Sequence, residues 1–109
     1  MTEQDRELAV ERLQRQTGSH DPELLTGYLR DAEDTVLDLI GRDVLPERLF
    51  SAVIALAEVF YSRRGLEGVS SHTEGGISQT YLDALPAPIR ERLVHYPRKA
   101  RVVGNAPKS

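Results

Sequence analysis

Pro46-Glu-Arg-Leu-Phe-Ser-Ala-Val-Ile-Ala-Leu-Ala-Glu-Val-Phe-Tyr-Ser-Arg-Arg64 is the stretch on which the fold turns. Proline suits the first position of a helix, where its missing N–H costs nothing. Leu49, Ala52, Val53, Leu56, Ala57 and Phe60 recur at helical spacing and make one apolar face. Phe50, Ile54 and Tyr61 make a second. The spacing predicts a helix over 46–64 that packs on two sides. A hairpin partner covers one side. The other meets a further helix of the chain or a neighbouring subunit. Arg63 and Arg64 complement the helix dipole at its C-terminal end, and Gly65 stops the helix.

Downstream, residues 65–82 have no helical period. Gly68, Gly75 and Gly76 loosen the backbone there. A loop of this length without structure of its own is uncommon in a compact domain and points to a functional contact. Ile77-Ser-Gln-Thr-Tyr-Leu82 has some β character, so a short strand or β-arm is an expectation for its end. Pro86 to Tyr96 then reads as a shorter helix striped by Ile89, Leu93 and Tyr96, and Pro97 ends it. Residues 97–109 form a basic tail.

Upstream, Asp21 is a good N-cap and Pro22 fits the first turn of a helix over 22–40. Leu25, Tyr28, Leu29, Ala32, Val36, Leu39 and Ile40 form its stripe, Arg30, Asp31, Glu33, Asp34 and Asp38 its opposite face, and Gly41 its stop. Residues 3–16 read as a first helix with a weak stripe of Leu8, Val10 and Leu13, stopped at Thr17-Gly18. The expected fold is all-α: one small four-helix domain with a long glycine-rich loop or β-arm before the last helix and an extended tail.

At 109 residues the chain has room for one domain. With 6% aromatics its core must be built mainly from Leu, Val, Ile and Ala, and it will be small enough to make oligomerisation a reasonable expectation. The absence of cysteine excludes disulfides, thiolate metal sites and cysteine nucleophiles. The longest apolar run, Ala52 to Ala57, is far short of the roughly 20 residues that span a bilayer. Met1-Thr-Glu-Gln-Asp-Arg6 lacks the basic-then-apolar pattern of a signal peptide, so a soluble, non-exported protein is expected. Residues 1–64 carry 13 acidic and 8 basic side chains, whereas residues 65–109 carry 4 and 6. The acidic balance weighs against a protein built to grip nucleic acid.

Asp31, Asp34 and Asp38 share one helix face by their spacing. A solvated acidic face is the ordinary reading, since neither a histidine nor loop geometry accompanies them. In a ring they would be candidates for facing a channel, where they would repel DNA phosphates. His20, His72 and His95 are scattered and lack zinc-ligand spacing. Gly75-Gly76 near Ser78 lacks the lysine and following helix of a phosphate loop. Arg90, Arg92, Arg98, Lys99 and Arg101 surround Tyr96 as a basic patch. Nucleic acid is one reading of it; an acidic protein partner or a solvated end is the other. Nothing in the chain points to an enzyme or a cofactor.

Several segments together resemble the head–tail connector (adaptor) proteins of tailed bacteriophages. They are Leu25-x-x-Tyr28-Leu-x-x-Ala32-Glu-Asp-x-Val36-Leu, Leu39-Ile-Gly-Arg42, Leu45-Pro, Ala52-Val, and Tyr61-x-Arg63-Arg-Gly65. Glu67-Gly-x-Ser70-Ser-x-x-Glu74-Gly-Gly-Ile-Ser-x-x-Tyr81, Leu85-Pro-x-x-Ile89 and Arg101-Val-Val complete the set, over roughly residues 21–103. The resemblance implies a structural protein without catalysis or cofactor. It implies a closed ring of about a dozen copies under the portal protein, extending the DNA channel and meeting a tail-side head-completion protein, with assembly in the bacterial cytoplasm. It makes Phe50, Ile54, Tyr61, Glu67, Glu74, Ile77 and Tyr81 candidates for subunit contacts. Arg98, Lys99, Arg101, Val102 and Val103 become candidates for contact with portal or another partner. No membrane is implied, and passing DNA is touched only non-specifically.

Overall fold

A computed structural model describes residues 1–64 and 79–97. Within them the chain forms five α-helices: α1 (Glu3–Thr17), α2 (Pro22–Ile40), α3 (Phe50–Ser62), α4 (Gln79–Ala84) and α5 (Ala87–Val94). The fold is all-α, as its apolar periodicities require.

Local signals set most helix ends. At the start of α1 the Thr2 hydroxyl accepts from the Asp5 amide while the Asp5 carboxylate accepts from the Thr2 amide, both at 3.1 Å. This reciprocal pair satisfies two otherwise orphaned donors. Asp21 caps α2 by accepting from the Leu24 amide at 3.2 Å, with Pro22 in the first turn. Gly18 and Gly41 end α1 and α2 in the left-handed region, at φ +78° and +70°.

Beyond shifts of one or two residues at other helix ends, two elements differ from expectation. Pro46 does not open α3: its ψ of 143° is extended, a 3-10 turn over Glu47–Leu49 follows, and α3 begins at Phe50. The segment expected to be loop or β-arm is helical from Gln79 onwards, as α4. Tyr81 within α4 and Leu85 just past its end are 5% and 3% exposed. The β preference of Thr and Tyr yields to that burial.

Helices α1, α2 and α3 pack side by side, and α4 and α5 lie on α3. Neighbours run antiparallel. Arg6 near the start of α1 pairs with Glu33 of α2, and Tyr28 near the start of α2 meets Tyr61 at the end of α3. The centre is Leu13 of α1, Leu25, Leu29, Ala32 and Val36 of α2, and Leu49, Ala52, Val53 and Leu56 at and beyond the start of α3, all fully buried. Leu93 brings α5 into the same core. No described helix is long and apolar enough to cross a membrane.

Candidate functional site

The two-faced helix α3 decides which surface is left for partners. Its first face, from Ala52 to Phe60, is buried, against α2 and α1 and, at Phe60, against α4. Its second face is divided. Ile54 is 8% exposed, in the chain's own core, whereas Phe50 and Tyr61 stay half-buried at the two ends of the helix. The middle of the second face is therefore covered within the chain itself.

Tyr81 departs further from the expected subunit contact. It is buried within the chain, edge-on to Phe60 with ring centroids 5.2 Å apart and planes at 81°. Ile54 and Tyr81 expose too little in the folded chain to anchor a neighbour. Phe50 and Tyr61 retain that capacity. Glu67, Glu74 and Ile77, and the candidate partner residues Arg98, Lys99, Arg101, Val102 and Val103, lie outside the described residues.

Around Tyr61 the structure builds a cluster that periodicity does not reveal. The Tyr28 ring stands edge-on to Tyr61 at 6.3 Å, and the Arg64 guanidinium lies over the Tyr61 ring at 3.7 Å. Arg64 also donates to the Tyr61 carbonyl, satisfying one acceptor at the helix end. Arg63 reaches to within 5.9 Å of the Tyr81 ring centre. Tyrosine and arginine are among the side chains enriched at the energetic centres of protein interfaces.

At the other end of the bundle Arg42 lies 5.3 Å from the Tyr96 ring centre and donates to the Pro97 carbonyl at 3.3 Å. Arg92 of α5 donates to the Arg48 carbonyl and the Ser51 hydroxyl, each at 3.5 Å. These contacts fix α5 against the start of α3.

Asp31, Asp34 and Asp38 are exposed on α2, as their spacing requires. Glu33 is not. It is 8% exposed and accepts from the Met1 ammonium at 3.0 Å and from Arg6 at 3.3 Å. Its assignment to the polar face is corrected: Glu33 sits four residues after Leu29 and three before Val36, in line with the buried stripe. That register was the available signal, and charge alone obscured it. Between α1 and α2 an open groove of ≈ 330 Å³ has Val10 in its lining and Glu3, Glu7, Glu11 and Arg30 around it. Among the described residues no three His, Asp or Glu side chains are grouped as metal ligands would be.

Residues 13–96 match a family model described as phage gp6-like head-tail connector protein. The matched span takes in the end of α1 and all of α2 to α5. It starts earlier than the segments quoted above and stops before Arg101-Val-Val. No curated protein and no solved structure gives a significant match.

Proposed function

The chain belongs to the phage gp6-like head–tail connector family, and we propose that about a dozen copies close into a ring beneath the portal protein, extending the DNA channel towards the tail. The family match over most of the chain carries this reading. It already makes the protein a structural component of the virion, interacting with other head and tail proteins.

Each finer part has its own support. The half-buried Phe50 and the Tyr28–Tyr61–Arg64 cluster leave apolar and aromatic surface for a neighbouring copy. Glu67, Glu74 and Ile77 would add to that contact from the glycine-rich segment. Asp31, Asp34 and Asp38 are exposed on one face of α2, where a like-charged wall would let DNA pass without holding it. Arg98 to Val103 would meet the portal, and a head-completion protein would sit on the tail side. The ring would assemble in the host cytoplasm and do no chemistry.

The test is the mass of the protein in solution with and without portal rings, together with DNA binding at moderate salt. A ring-sized assembly on the portal and weak, non-specific DNA binding are expected. A stable monomer that ignores portal and binds DNA tightly, with affinity falling steeply with salt, would replace this reading with a nucleic-acid-binding one.

A further inference from the structure

Helix α1 carries Glu3, Glu7 and Glu11 at successive i, i+4 positions, all exposed. Like charges at that spacing repel one another, and among the described residues none of the three is held in an ion pair. They stand along the open groove of ≈ 330 Å³ between α1 and α2, with Val10 and Pro22 also in its lining. Arg6 shares that lining but is already paired with Glu33, so Arg30 alone remains to offset the three carboxylates. The groove is a partly apolar cleft with a net acidic rim.

The end of α3 has the opposite character. Arg64 is exposed over the half-buried Tyr61 ring, with Arg63 beside it in sequence. Neither arginine is held by a carboxylate among the described residues. Arg64 donates once to the Tyr61 carbonyl, and a guanidinium has further donors in a fork that fits carboxylates. The two surfaces face apart within one chain. Tyr28, which meets Tyr61, is two residues from both Thr26 and Arg30 of the groove, roughly half a turn around α2. The end of α3 is therefore turned away from its own groove and free for the groove of a second copy. A repeated contact between two different surfaces is the head-to-tail kind that closes rings. We propose that the end of α3 seats in the α1–α2 groove of the next copy, where Arg63 and Arg64 meet Glu3, Glu7 and Glu11. This rests on the ring reading above and names the two surfaces that make the ring.

The experiment measures the mass of the full chain against concentration, alone and on portal rings. Arg63→Glu/Arg64→Glu and Glu7→Arg/Glu11→Arg should each raise the concentration needed for assembly by about tenfold or more, the scale for setting like charges against each other at an interface. Circular dichroism should show both variants helical. Combining the two reversals in one chain should restore assembly. Combining Glu7→Arg/Glu11→Arg with Arg12→Glu/Arg48→Glu, which returns the same net charge from exposed sites elsewhere, should not. If that second combination restores assembly equally, net charge and not this contact governs it, and the inference is overturned. If rings form normally with both reversals made separately, the ring reading stands and the inference is overturned. If Arg63→Glu/Arg64→Glu assembles normally while a chain cut after Pro97 fails as Glu7→Arg/Glu11→Arg does, the groove takes the basic tail and the inference is again overturned. If the wild type forms no ring with or without portal, the ring reading fails, and this inference with it.

Discussion

Tyr81 meets Phe60 edge-on, its ring 5.2 Å away and nearly perpendicular, and both side chains are almost fully buried. This pair pins α4 to the C-terminal half of α3. Tyr81→Ala should lower the unfolding free energy by about 3 kcal/mol, the scale for losing a buried aromatic side chain. Equilibrium urea unfolding measures it. Unchanged stability with loss of assembly alone would return Tyr81 to a subunit contact.

Arg6 and Glu33 join α1 to α2 through an ion pair at the edge of the core. Glu33→Gln should cost about 2 kcal/mol, because the guanidinium and the Met1 ammonium lose their carboxylate at a largely buried site. The Arg6 side chain keeps 27% exposure, which holds the cost below that of a fully buried pair. A double-mutant cycle with Arg6→Met should give a coupling of about 1 kcal/mol. Additive effects of the two changes would show that the pair contributes nothing beyond its separate members.

Gly18 ends α1 at φ +78°, and a Cβ built there meets nothing within 4 Å. The only penalty of Gly18→Ala is therefore backbone strain, about 1 kcal/mol. Gly18→Asn should recover part of it, because asparagine tolerates the left-handed region. Thermal unfolding of the two variants separates these effects, and equal melting temperatures for alanine and glycine would rule out a left-handed cap.

Phe50 is half-buried at the start of α3. Phe50→Asp should block ring formation while leaving a helical monomer, read by mass in solution and by circular dichroism. Loss of helicity in the monomer would make Phe50 a core residue and remove it from the proposed contact.

The sequence was most legible where a local signal and a periodicity agreed. Asp21-Pro22, the stripe of α2 and Gly41 gave that helix its observed bounds. Thr17-Gly18 likewise gave the end of α1 to within a residue. Pro46 misled because a proline that suits a first helical turn equally suits the extended residue before a 3-10 turn. Ile54 and Tyr81 misled because periodicity finds an apolar side chain without saying what covers it. Tertiary packing decides that, through contacts far apart in sequence such as Phe60 with Tyr81. Glu33 was hidden in the same way, its partners lying 27 and 32 residues away. The Arg42–Tyr96 contact spans a still longer separation, and no composition or spacing announces it.

The anchoring of Met1 to α2 has an engineering consequence. Its ammonium is held at Glu33, whose other oxygen accepts from Arg6. A tag or any residue joined ahead of Met1 would turn that ammonium into an uncharged peptide N–H and leave Arg6 as the one cation on a largely buried carboxylate. Pro97 is held at Arg42, just past the end of α2, by a contact that carries no such charge on the Pro97 side. A label is therefore better tolerated by the fold beyond Pro97 than ahead of Met1.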